Sequence, residues 1–151
     1  LLKAPYYSVP PPKSTGRETF NLDYLDGVLA MPAFARLSPA DVQATLLRLT
    51  VETIARDIRR PGQDVASGVF VCGGGARNGQ LMAALSTRLS PLPVTTTAAL
   101  GLDPDMVEAS AFAWFAWMRL SGRPVPLTTG TGQRALLLGC VYEPTPGYAA
   151  I

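Results

Sequence analysis

Val69-Phe70-Val71-Cys72-Gly73-Gly74-Gly75-Ala76-Arg77-Asn78 is the stretch on which the reading of the fold turns. A short apolar run rich in β-branched residues ends in three consecutive glycines, and a helix-like segment follows. Glycines carry no side chains, so their backbone N–H groups can come close to a bound group. A strand–glycine–helix junction of this kind suits a nucleotide. The competing reading is a tight turn whose glycines serve backbone geometry alone. The motif is not a P-loop, because G-x-x-x-x-G-K-[ST] occurs nowhere in the chain. It is also a poor dinucleotide fingerprint: the G-x-G-x-x-G spacing is not met. The next strand ends in Thr95-Thr96-Thr97 without an acid for a ribose hydroxyl, which counts against a dehydrogenase and a methyltransferase.

Working outward, Gly68 to Cys72 is a strand, and Asn78 caps a helix that turns Leu81, Met82, Leu85 and Leu89 inward. Pro91 and Pro93 break that helix, and Val94 to Thr97 forms a second β-branched strand. Asp103-Pro104-Asp105 reads as a cap, a first-position proline and a helix-start acid, opening a helix that ends near Gly122. Ala135 to Val141 reads as a last strand, and Thr128 to Gly132 as a turn. Upstream, Ser38-Pro39-Ala40-Asp41 starts a helix carrying Leu47, Val51, Ile54 and Ile58. It should run to Arg59 or Arg60, where Pro61-Gly62 stops it. Asn21 caps a short helix bearing Leu22, Leu25 and Leu29. Pro10-Pro11-Pro12 imposes an extended path on a surface arm. The expected division is an arm and loop over 1–20 and an α/β lobe over 21–151.

Bulk composition narrows the function. The 151 residues are 48% hydrophobic and 16% charged, enough for one folded domain with a core. A net charge of +2 without basic clusters gives no footprint for nucleic acid. The chain has no histidine, which excludes a Ser-His-Asp triad, a Cys-His dyad and a His-ligated metal within it. Cys72 and Cys140 sit in apolar runs and read as free buried thiols. No signal peptide or membrane span is recognisable, so a soluble cytoplasmic chain is expected. Its start at Leu1-Leu2 without Met suggests the tail of a longer polypeptide.

Two further segments could touch a ligand. Lys13-Ser14-Thr15-Gly16-Arg17-Glu18 places two cations beside two hydroxyls, suited to an anionic sugar or phosphate, or simply to a solvated loop. Glu108 begins a helix with Ala109, Ala113 and Ala116 as a flat stripe where another helix could cross closely. An exposed helix-start carboxylate explains Glu108 equally well. Trp114 and Trp117 read as core or interface.

Taken in order, several segments resemble the C-terminal portion of the anhydro-N-acetylmuramic acid kinase family. They are Pro10 to Glu18 with Phe20-Asn21, Val71 to Asn78, Gly101 to Asp105 with Glu108-Ala109, Ala111 to Trp114, Thr129-Gly130 and Leu138-Gly139. The resemblance implies an actin-like (ribonuclease H-like) two-lobe sugar kinase, of the superfamily of acetate kinase and the heat-shock ATPases. Such an enzyme would use ATP and Mg²⁺ to phosphorylate 1,6-anhydro-N-acetylmuramic acid while water opens the anhydro ring. The product, N-acetylmuramic acid 6-phosphate, would enter cell-wall recycling. By the same resemblance Gly73, Gly74 and Gly75, with Asn78 adjacent, would hold the adenosine part of ATP. Lys13, Ser14, Thr15, Arg17 and Glu108 would lie on the substrate or phosphate side. The family's Gly-Thr-Ser and Asp-Gly phosphate hairpin and its Asp-Thr-Gly segment have no counterpart in these residues. The resemblance therefore implies an ATP-binding lobe whose N-terminal catalytic partner, the holder of most Mg²⁺ contacts, is absent, with no catalytic residue or metal ligand of its own. A homodimer is possible on this reading, and no membrane or nucleic-acid partner is implied. A nucleoside-cofactor transferase of methyltransferase type, or a non-enzymatic module docking through Trp114 and Trp117, are the alternatives.

Overall fold

The computed structural model describes residues 1–10, 13–60, 66–127 and 134–142. The expected features at Pro11-Pro12, Pro61-Gly62 and Thr128 to Gly132 lie outside them. The chain divides into two compact units, Leu1–Val107 and Glu108–Ile151.

In the first unit, helix α1 spans Leu22–Leu29 and helix α2 spans Pro39–Ile58. Both start at the caps expected from sequence. Asn21 Oδ1 accepts the Tyr24 N–H at 2.9 Å, and Ser38 Oγ accepts the Asp41 N–H at 3.2 Å. Asp41 answers by accepting the Ser38 hydroxyl at 2.7 Å, not the backbone N–H that a longer Glu would reach in a capping box. Before α1, Pro5–Ser8 make one 3₁₀ turn, and Tyr6, Tyr7, Phe20 and Tyr24 stack edge and face with centroids 5.4–5.7 Å apart.

Strand β1 (Val69–Val71), helix α3 (Gly79–Leu89) and strand β2 (Val94–Thr96) form a β-α-β unit with the two strands parallel. Its core is small and concentrated. Val51 and Ala55 of α2 meet Leu85 and Leu89 of α3, with Val69, Val71 and Val94 packed against them. Full burial of each leucine contributes about 1.5–3 kcal/mol, and Leu85 and Leu89 are 1% and 0% exposed. Glu52 of α2 and Arg88 of α3 add an ion pair across the same interface, with Arg88 Nε 3.1 Å from both carboxylate oxygens. Phe70, pointing opposite to its valine neighbours as strand alternation requires, remains exposed.

In the second unit, helix α4 (Val107–Leu120) ends at Gly122, whose positive φ of 64° lets Arg123 N–H reach back to Met118 O at 2.9 Å. Strands β3 (Val125–Leu127) and β4 (Arg134–Leu136) pair antiparallel, and Val125 is buried.

Four sequence expectations change. The helix expected to open at Asp103-Pro104-Asp105 starts instead at Val107. Asp103 Oδ1 takes the Asp105 N–H at 2.9 Å, a side-chain turn that competes with helix. The Pro104 carbonyl, which a helix from this point would direct to residue 108, accepts the Gly73 N–H instead. The last strand stops at Leu136 and not Val141, with Gly139 at φ 81° further on. It pairs with β3, which Pro126 disguises in the sequence; a proline is tolerated in so short a two-strand ribbon because each strand is an edge. Cys72 and Cys140 are free as expected, but exposed and not buried. Of the expectation that Trp114 and Trp117 lie in a core or an interface, the core half fails: they are 43% and 51% exposed and belong to no core among the described residues, where α4 buries no residue.

Candidate functional site

Parallel pairing sets Val71 opposite Thr96, so β1 and β2 end side by side. Ligands of open α/β sheets gather outside such carboxyl ends. Two 3₁₀ turns leave from this edge, Gly73–Arg77 after β1 and Thr97–Leu100 after β2. As the sequence suggested, helix α3 opens at Asn78 and not at the glycines. They form their own turn, and Asn78 joins it to the helix. Asn78 N–H closes the turn on Gly75 O at 3.1 Å, while its Oδ1 caps α3 by accepting the Leu81 N–H at 3.1 Å.

The three glycines differ in what they are for. Gly73 has φ +66°, a conformation that a side chain disfavours, so backbone geometry alone accounts for it. Its N–H is already engaged by Pro104 O at 2.8 Å. A Cβ on Gly75 would make ordinary contact with Leu81 Cδ2 at 3.5 Å and Val71 Cγ1 at 3.9 Å. A Cβ on Gly74 would meet nothing within 4 Å, and no positive φ requires glycine there. Gly27 and Gly79 share this freedom, and what sets Gly74 apart is its place in the turn at the carboxyl edge of the strand pair.

Asn78 also lines a cleft of about 570 Å³ between α2 and α3, with Gln43, Leu47 and Thr50 on one wall and Gln80 and Leu81 on the other. That volume falls within the roughly 300–1,000 Å³ of small-molecule sites. No charged side chain lines it; amides, a hydroxyl and aliphatic groups do. Sequence reading missed Gln43, Thr50 and Gln80. The seven-residue spacing of Gln43 and Thr50 on one helix face was the available signal. Near the glycine turn, Thr97 Oγ1 is buried without a hydrogen-bond partner, as Thr15 Oγ1 is elsewhere.

Lys13, Ser14, Thr15 and Arg17 do not line this cleft. Lys13 lines a separate hollow of about 250 Å³ with Tyr6, Tyr7, Thr53, Ile54, Arg56 and Asp57. Its ammonium donates to Tyr6 O at 3.0 Å and sits 4.4 Å from the Tyr6 ring centroid. Ser14 and Arg17 are exposed, and Glu18 folds back to accept the Gly16 N–H at 2.8 Å. Glu108 is exposed in the first turn of α4, in the second unit.

An ion pair and a perturbed hydroxyl complete the picture. Arg77, at the end of the glycine turn, pairs with Asp105. The Tyr7 hydroxyl is pushed above its ordinary range by burial first, then by the neighbouring Tyr24 and Tyr6. Among the described residues, no three His, Cys, Asp or Glu side chains gather as a metal-binding group, and no helix is long and apolar enough to cross a membrane.

Comparison with known proteins identifies the family. A family profile described as anhydro-N-acetylmuramic acid kinase matches residues 1–144. The anhydro-N-acetylmuramic acid kinase of Paraburkholderia xenovorans is 49% identical over 148 residues, covering 94% of this chain and 39% of that protein. That of Burkholderia cenocepacia is 48% identical over 149 residues, and that of Xanthomonas campestris pv. campestris 48% over 143. The chain spans about two fifths of the length of these relatives. On that match, carried along nearly its whole length, the chain belongs to the anhydro-N-acetylmuramic acid kinase family.

Proposed function

We propose that this chain is the C-terminal, nucleotide-binding lobe of an ATP-dependent kinase acting on 1,6-anhydro-N-acetylmuramic acid. On this reading residues 1–20 are an arm and loop and 21–151 the lobe, within an actin-like two-lobe enzyme. Gly73, Gly74, Gly75 and Asn78 receive the adenosine part of ATP, and the cleft beside Asn78 offers the base a wall without charge. Lys13, Ser14, Thr15, Arg17 and Glu108 are assigned to the substrate or phosphate side. The observation that carries the reading is the place of the glycine turn, with Gly74 open to solvent at the carboxyl edge of a parallel strand pair.

The chemistry follows from phosphoryl transfer in general. Such reactions run on in-line positioning and charge neutralisation of the γ-phosphate. Mg²⁺ supplies that neutralisation when bound, and the rest of the enzyme would hold it, along with the carboxylate that activates water. This lobe binds and orients the nucleotide and excludes water from it. Alone, it binds ATP weakly and turns nothing over. The cytoplasm, where ATP is available, is the setting this implies. Family membership favours this reading over a methyltransferase-like one.

A chimera tests it. The corresponding C-terminal portion of the Paraburkholderia xenovorans kinase is replaced by this chain, and ATP-dependent phosphorylation of the anhydro sugar is assayed. Activity supports the proposal. A folded chimera that binds neither ATP nor sugar contradicts it.

A further inference from the structure

The glycine turn is fastened at both ends to one neighbouring turn. At its start, Gly73 N–H donates to Pro104 O at 2.8 Å. At its end, the Arg77 guanidinium pairs with the Asp105 carboxylate. The neighbouring turn is itself braced, since Asp103 takes the Asp105 N–H on Oδ1 and the Met106 N–H on its carbonyl, each at 2.9 Å. Gly74 and Gly75 lie between the two fastenings. Glycine is the most freely moving residue of an unrestrained chain, and a ligand that had to order it would bind more weakly.

We infer that Arg77 and Asp105 are positioning residues for the nucleotide: their ion pair, with the Gly73–Pro104 hydrogen bond, holds the Gly74 amide, the one N–H of the glycine turn's first positions without an acceptor within the turn, ready for the ligand. This rests on the nucleotide reading above. Arg77 acts through Asp105 and not by touching phosphate. An isolated exposed arginine in a nucleotide site would otherwise be taken for a phosphate contact. Here its charge is already engaged, although its side chain is 75% exposed and that of Asp105 44%.

The test is ADP affinity of the intact chain, measured by calorimetry for the parent, R77D, D105R, the double swap R77D/D105R, and G74V. Unfolding midpoints are measured alongside. Each single variant should lose affinity about fivefold, the scale of one exposed ion pair. The double swap should return to within about twofold of the parent. Midpoints should stay close to the parent, because a merely structural role would move stability and not affinity. If the swap stays weak although folded, Arg77 touches the ligand directly and the inference falls. If all three charge variants bind like the parent while G74V does not, the inference falls and the nucleotide reading stands. If the parent binds no ADP, the nucleotide reading fails and takes the inference with it.

Discussion

Gly74 separates the cost of folding from the cost of binding. Its backbone lies outside the left-handed region and a Cβ there meets no atom within 4 Å. Gly74→Ala should therefore leave stability unchanged or raise it by about 0.4–1 kcal/mol, by restricting the unfolded chain. Gly73, at φ +66°, provides the contrast. An alanine there enters the left-handed region, so Gly73→Ala should destabilise the chain by about 1–2 kcal/mol. Function should show the reverse dissociation at Gly74. Gly74→Val places a branched side chain over an open backbone position of the turn. Losing close approach to a ligand should then lower ADP affinity at least about tenfold, or 1.4 kcal/mol. Urea denaturation reads the first quantity and calorimetric titration the second. Gly74→Val binding ADP as the parent does would refute the argument. So would a Gly74→Ala variant destabilised by more than about 1 kcal/mol, because the open space would then be wrong.

Leu85→Ala should cost about 3 kcal/mol in urea denaturation, near the middle of the range for a fully buried leucine. Leu85 is 1% exposed among Val51, Ala55 and Leu89, and a loss below about 1 kcal/mol would mean that this core does not hold the β-α-β unit together. Arg88→Met should cost about 1 kcal/mol, since it leaves the Glu52 carboxylate, 18% exposed, without its partner. Tyr7 gives a pH signature. Its folded pKa lies above the ordinary value, so between the two the native state holds more protons than the unfolded state. Stability from this group is complete below about pH 10 and is lost as pH rises through the folded value. Tyr7→Phe should remove that alkaline slope in thermal melts; an unchanged slope would place its origin elsewhere.

Much of the first unit was legible because local chemistry decided it. Asn21, Ser38 and Asn78 cap the helices they were expected to cap, and the leucine spacing of α3 turned Leu85 and Leu89 inward. What sequence could not supply were contacts made across the chain. The engagement of Pro104 O by Gly73, thirty-one positions earlier, delayed α4 to Val107, and no local pattern encodes it. The Arg77–Asp105 pair is invisible for the same reason. In the second unit, strand β3 was not expected from the sequence, where a proline at its centre lowers strand propensity. Trp114 and Trp117 read as core or interface, and their exposure of 43% and 51% removes the core half, a choice that hydrophobicity alone does not make. At the site, the triple glycine announced a close approach, but only the geometry distinguishes Gly74 from Gly73, whose φ the sequence does not reveal.

The measurement that bears most directly on the central claim is an amide ¹H–¹⁵N spectrum of the intact chain during titration with ADP. The account predicts saturable shifts centred on the Gly74, Gly75 and Asn78 amides, extending to Gln43 and Gln80 along the cleft, with S-adenosylmethionine producing none. An ADP titration that leaves the Gly74 and Gly75 amides unmoved, or shifts only residues away from the glycine turn, would contradict it.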